Sequence, residues 1–234
     1  MPKTPIEAPA PVFKGFPPAA TRFFKELADN QNAAWFAEHK AEHEAVVKAP
    51  MGALVHAVAA RLSATPLPLC GDPKRSLFRI NRDVRFSADK SPYKTNASAV
   101  LSRDGSKTSP GVVYFQFGAD EILAACGFYM PMPEQLKQLR DGMCRHTEAW
   151  QAVHKDLNRR KLSLLTEGAL VRVPKGYESA PESIHADLRL KSWAVRQTIP
   201  LRVARSPELV EAIAELALSC ADLLEFGWTA LEAS

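Results

Sequence analysis

VVYFQFGADEILAACGFYM, residues Val112 to Met130, is the stretch whose reading decides the fold class. Val112 to Phe117 is β-branched and aromatic, Ala119 and Asp120 have turn composition, and Ile122 to Met130 is apolar again, so the spacing predicts two antiparallel strands. Working upstream, Asn96 to Ser102 reads as another strand, and Phe78, Ile80, Val84 and Phe86 alternate as in a further one. Downstream, Pro133 opens a helix to about His146 and Thr147 to Asn158 continues helical. Short strands are expected at Leu162 to Leu165 and Ala169 to Val173, a short helix near Ser183 to Leu190, and an extended segment from Trp193 to Val203.

The flanks are helical. Ala20, Phe23, Phe24 and Leu27 recur at helical steps within Pro17 to Asp29, and Asn32 to Lys48 carries Trp35, Phe36, Val46 and Val47 on one face. Pro50 suits the first turn of a third helix through Leu62. The end of the chain, Pro207 to about Trp228, places Leu209, Ile213, Leu216, Cys220, Leu223 and Leu224 on one stripe. The pattern predicts an α+β fold, helices flanking a central, mostly antiparallel sheet, in a single domain over residues 13–228. Residues 1–12, with prolines at 2, 5, 9 and 11, read as a disordered Pro-rich lead-in, and residues 229–234 as a tail.

Of 234 residues, 46% are apolar and 24% charged, which suits a globular core rather than a disordered or fibrous chain. The longest apolar-leaning stretches, Met51 to Ala60 and Leu209 to Leu218, are too short for a bilayer and contain His56, Glu211 and Glu215. With no apolar signal region at the start, a cytoplasmic protein without a membrane partner is expected. Cys70, Cys126, Cys144 and Cys220 have no C-x-x-C spacing, so neither disulfides nor a cysteine-held zinc is expected.

Net charge is +4, but it is unevenly spread: Asp72 to Lys107 holds nine Lys or Arg against four Asp. Within it, FRINRDVRFSADKSPYKT, Phe78 to Thr95, is not explained by fold-building alone. On a strand, Arg79, Asn81, Asp83 and Arg85 would face away from Phe78, Ile80, Val84 and Phe86, with Arg82 marking a bulge or strand end. Ser87 to Pro92 has loop composition and would carry Lys90, Tyr93 and Lys94. Arginine forks, compact ammonium groups and hydroxyls together suit phosphate or carboxylate. Asp83 and Asp89 would aim the arginines, or act as acid and base if burial raised a pKa. The competing reading has the aspartates and arginines simply pair to hold a long loop.

The motif R-x-x-R-D-x-R-F-S-x-D-K-S-P-Y-K-T, Arg79 to Thr95, resembles the hallmark of the family known as domain of unknown function 2461. Trp35, Phe36, Lys40, Gly127 to Tyr129 before Pro131, Leu136 with Arg140, Pro174 to Tyr177, and Leu188 with Lys191 and Trp193 extend the resemblance over about Phe13 to Phe226. It implies no particular reaction or cofactor. It does imply that Lys175, Arg189 and Lys191 are characteristic residues that join the same pocket. The chain departs from the family pattern at His43, where tyrosine is usual, and at Ala180 and Pro181, where His-Pro is usual.

His39 and His43 complete an H-x-x-E-H pattern, but two ligands make no zinc site without a third, and no metal is expected. His146, His154 and His185 have no ligand spacing, and no P-loop, G-x-G-x-x-G or G-x-S-x-G is present. The leading expectation is a pocket for a phosphorylated or other anionic small molecule, contacted by Arg79, Arg82, Arg85, Ser87, Lys90, Tyr93, Lys94, Lys175 and Lys191, with or without catalysis. The alternatives are a nucleic-acid-binding module using the same strip, with Tyr93, Phe86, Tyr114 and Phe128 stacking bases, and a non-catalytic interaction protein.

Overall fold

The computed structural model describes residues 11–85 and 88–233. Its centre is a four-stranded antiparallel meander, β1 (Asn96–Leu101), β2 (Val112–Gly118), β3 (Ile122–Phe128) and β4 (Trp193–Thr198), in the order β1-β2-β3-β4. The register aligns Leu101, Val113, Cys126 and Val195 across the sheet, with Ala99, Phe115 and Ala124 one step along. Because directly paired residues share a face, these side chains form one apolar surface, and Ser98, Val100, Tyr114, Gln116, Leu123, Ala125 and Arg196 form the other.

Helices from both ends of the chain cover the first face. α1 (Pro18–Asp29) starts on a proline whose missing N–H is not needed there, and it buries Ala20, Phe23, Phe24 and Leu27. Just before it, Phe16 stacks on Phe117 of β2 at 3.9 Å, and both rings are fully buried. Each such side chain stabilises the fold by about 1.5–3 kcal/mol through burial.

The helix expected over Asn32 to Lys48 is interrupted. α2 (Ala33–Glu38) is capped by the Asn32 side chain, which accepts from the Trp35 N–H, and it stops at His39. The His39 ring stacks on Trp35 at 3.9 Å and its Nδ1 meets the Trp35 carbonyl at 2.8 Å, holding His39 outside helical geometry. α3 (Lys40–His43) then runs through one wide π turn, Glu44–Lys48, straight into α4 (Ala49–Ser63), with no loop before Pro50. Pro50 lacks an N–H and would clash with the carbonyl four residues earlier, and the wider turn ahead of it relieves that contact. The fused run Lys40–Ser63, 24 residues, is by length and composition long and apolar enough to cross a membrane, unlike the short stretches read from sequence. Here Met51, Leu54, Val55, Val58 and Leu62 of α4 are buried in the core, and α4 packs on β1 and α10 (Glu208–Ser219).

The C-terminal helix expected as one piece is two, α10 and, after a break at Cys220, α11 (Ala221–Glu232), reached from β4 through the short α9 (Leu201–Ala204). A straight helix of that length would run about 33 Å, well past a sheet about 19 Å wide, whereas the bend keeps both halves on β3. The predicted stripe of Leu209, Ile213, Leu216, Cys220, Leu223 and Leu224 is buried throughout. α11 continues to Glu232 and buries Ala230, so the expected tail at 229–234 is helical for most of its length. α6 (Pro133–Arg145) and α7 (Thr147–Arg159), both expected as helices from sequence, lie against α11, and a 3-10 turn at Glu182–Ile184 leads into α8 (His185–Leu188).

Three strand expectations are corrected. Leu162 to Leu165 and Ala169 to Val173 are irregular: only Leu164 bridges Val195, the Leu165 N–H donates to the Ala194 carbonyl at 2.8 Å, and Val171 is 90% exposed. Gly168, at a φ of +70°, turns the chain away before a ladder can extend. The segment from Phe78 to Arg85, the described part of the strand expected to Phe86, is not a regular strand. It runs beside β1 through N–H donations from Phe78 to Ser98, from Lys94 to Ile80 and from Arg82 to Pro92 at 2.8–2.9 Å. Pro92 has no N–H to return the last bond, so the ladder stops there. A short helix not anticipated from sequence, α5 (Pro73–Ser76), leads into this segment.

Candidate binding site on the open sheet face

The second face of the sheet floors a groove of about 810 Å³ whose lining, among the described residues, takes Gln135 of α6 as its one helical member. Val100, Tyr114, Gln116, Leu123 and Ala125 form the floor, and its walls are Phe78, the β1–β2 loop from Lys107 to Gly111, and the segment Tyr129 to Met132. Val100 and Leu123 are only 5% and 6% exposed, so these walls shelter the floor. The lip is apolar: Tyr129, Met130 and Met132 are 67%, 62% and 68% exposed. Met130 holds a φ of +45°, costly for a side-chain-bearing residue, and its N–H donates to the buried Ser192 hydroxyl at 2.9 Å.

Tyr114 also belongs to a second hollow of about 420 Å³ lined by Arg82, Lys94, Thr95, Asn96 and Ser98. Tyr114 thus lines both cavities, the smaller one bearing Arg82 and Lys94 and the larger one a mostly apolar floor with Lys107 and Arg196 on its walls. Phe78 marks the junction, since the ammonium groups of Lys94 and Lys107 lie 5.5 and 5.6 Å from its ring centroid. Partial burial pushes the Lys94 ammonium below its ordinary pKa, and Arg79, Lys107 and Arg82 push it further the same way. Among the described residues no carboxylate forms an ion pair with Lys94. Burial holds the Tyr114 phenol above its usual range, and its hydroxyl donates to Gln116 Oε1 at 2.9 Å.

The structure divides the sequence-predicted residues into groups. Arg82 and Lys94 line the cationic hollow, with Arg79 exposed but close enough to bias both Lys94 and Asp83. Arg85 turns back onto Asp83 at 2.7 Å, and Lys90 Nζ donates to the Val84 carbonyl at 2.9 Å, so both are engaged within the loop. Tyr93 is 7% exposed and stacks on Phe36 at 4.5 Å, which places its ring in the core rather than in either cavity. Ser87 and Phe86 lie outside the described residues.

Asp83 and Asp89 are exposed, and neither meets the condition set for acid–base work. The Arg85 side chain and amide lower the Asp83 pKa. Asp89 is held down to about 2, first by the Ser91 hydroxyl and amide and then by its ion pair with Arg82. These pairs are what the loop-scaffold reading requires of Arg82 and Arg85. That reading does not account for Lys94, or for the hollow it shares with Arg82.

Lys175 and Lys191 are not brought to the hollow. Lys175 is exposed beside Gly176 and Tyr177, which line a separate depression of about 840 Å³ with Asp141 and Arg145. The Tyr177 hydroxyl donates to Asp141 there at 2.7 Å. Lys191 is exposed, and Arg189 gives its carbonyl to the Leu170 N–H. His43 is buried between Phe23 and Phe36, with ring centroids at 5.4 and 5.5 Å, so the H-x-x-E-H pair does not face a common site. No group of three or more His, Cys, Asp or Glu positioned for a metal occurs among the described residues.

Sequence reasoning did not place Ser98, Gln116, Lys107 or the Tyr129 to Met132 lip in a site. The available signal was Tyr114 and Gln116 alternating with Phe115 and Phe117, which puts them opposite the core.

A family model described as "Conserved hypothetical protein (DUF2461)" matches residues 19–226. No curated protein and no solved structure matches the chain.

Proposed function

The chain belongs to the DUF2461 family, and on that premise we propose that it binds a phosphorylated or otherwise anionic small molecule, its charged head against Arg82 and Lys94 and its apolar body along the open sheet face. The observation that carries this is that Tyr114 lines both a cationic hollow and a mostly apolar groove. A sheltered floor with a few polar groups at one end suits a ligand larger than a bare anion. Glu121 and Glu167 also line the groove, the latter paired with Arg196 at 3.2 Å, and these carboxylates disfavour an extended polyanion laid along its whole length. A single anionic head needs the cations at one end only.

The test is thermal stability against a panel of phosphates, sugar phosphates, nucleotides, aromatic carboxylates and short oligonucleotides at two salt concentrations. A ligand at a hundred times its Kd adds about 2.7 kcal/mol, and at about 2–4 °C per kcal/mol for a chain of this size the expected rise is on the order of 5–10 °C. Arg82→Ala and Lys94→Ala are expected to remove most of it, whereas Arg85→Ala, outside the hollow, keeps it. A rise from oligonucleotides only, erased by salt, would overturn the small-molecule reading in favour of nucleic acid.

A further inference from the structure

Resting on that reading of the groove, we propose that Lys94 is a nucleophilic amine that forms an imine with an aldehyde or ketone carried by the anionic ligand. An amine does this chemistry when its ammonium form is disfavoured, which takes desolvation or neighbouring cations without a compensating carboxylate. Lys94 has both. It is half-buried on the wall of the hollow, and its backbone is fixed by the N–H bond to the Ile80 carbonyl at 2.8 Å. Arg79 and Arg82 approach from the antiparallel segment, Lys107 from the β1–β2 loop, and the neutral Tyr114 hydroxyl from β2. Lys48 and Lys137, by contrast, sit in ion pairs with Glu44 and Asp141 at 2.9 and 2.7 Å.

The step balances without a further reagent. The Lys94 nitrogen lone pair attacks the carbonyl carbon, the carbonyl oxygen takes up a proton, and the carbinolamine loses that oxygen as water to leave the C=N bond. One amine and one carbonyl give one imine and one water. Arg82, across the same hollow, is placed to hold the anionic head while the carbonyl meets the amine. Phe78, whose ring centroid lies 5.5 Å from the Lys94 nitrogen, supplies apolar surface beside the bond that forms.

Pyridoxal 5′-phosphate, an aromatic aldehyde with a phosphate head, is the probe. The full chain is exposed to it below stoichiometry, reduced with borohydride and mapped by peptide mass, while thermal shift with inorganic phosphate reads the anion site separately. Lys94 is expected to be labelled about tenfold or more faster than the exposed Lys25 and Lys155, with protection by inorganic phosphate and loss of the label in Lys94→Arg. A phosphate shift with Lys94 labelled no faster than Lys25 would overturn the imine and leave the groove reading standing. Fast labelling of Lys94 without a phosphate shift or protection would overturn both, because the aldehyde would then be reaching the amine with no anion site to hold it.

Discussion

Gly127 is the position where the sheet is least tolerant of a single methyl group. It sits in β3 opposite Ala194 with a φ of +128°, a conformation that only glycine adopts readily. A Cβ built there falls 2.2 Å from the Trp193 carbonyl oxygen and 2.7 Å from the Ala194 Cα, both backbone atoms of the neighbouring strand. Gly127→Ala must therefore either push β4 away or flip the local backbone and break the β3–β4 ladder. The conformational strain alone is about 1–3 kcal/mol. With the steric term added, the expected loss is about 3–5 kcal/mol, among the largest single-residue effects. Gly176→Ala isolates the first term, since Gly176 also has a positive φ, +91°, but a Cβ there meets nothing within 4 Å. Urea unfolding followed by fluorescence of the core tryptophans Trp150 and Trp193 gives both numbers. With a slope of about 2–3 kcal/mol/M, the Gly127 variant should lose about 1–2 M of midpoint and the Gly176 variant well under half of that. Equal losses would refute the argument that close strand approach, rather than dihedral preference, selects glycine in β3.

Two titrations carry further predictions. Burial lowers the His43 pKa from 6.5, so the unfolded chain takes up the proton first and stability falls as pH drops through 6.5 toward the lower folded value. His43→Phe keeps a ring between Phe23 and Phe36 and should flatten the urea midpoint between pH about 7 and 5; parallel curves for variant and wild type would sink this account. The Asp89 carboxylate, held at about 2 against an ordinary 3.8, steadies its loop above pH 3.8 and loses that effect as pH falls through about 2. Ser91→Ala and Arg82→Ala should each raise the NMR midpoint of Asp89 toward its ordinary value, and an unchanged midpoint in both variants would refute this assignment of causes.

Secondary structure was legible where one periodicity acted alone. Ala20, Phe23, Phe24 and Leu27 announce α1, and the β-branched run Val112 to Phe117 announces β2, because each pattern matches one buried face. The misreadings fall where a local bond competes with the period. The His39 ring on the Trp35 carbonyl ends α2, the missing N–H of Pro92 stops the ladder beside β1, and the bend at Cys220 follows the width of the sheet rather than any residue at the bend. None of these alters the apolar pattern, so periodicity passes over them.

The site was legible as charge but not as shape. Alternation correctly put Arg79, Asn81, Asp83 and Arg85 in solvent, yet it could not say that Arg85 would fold back onto Asp83 while Lys94 stood apart from any carboxylate ion pair among the described residues. Nor could it show the open face. The β3 sequence Ile122 to Phe128 is apolar at every position, as in a strand buried on both sides. Its Ala124 and Cys126 meet the helices, while Leu123 and Ala125 meet only the groove. Val100 and Leu123 are already sheltered by the groove walls, so the apolar run reads as a strand buried on both sides whether a helix or a loop shelters it, and periodicity does not distinguish the two.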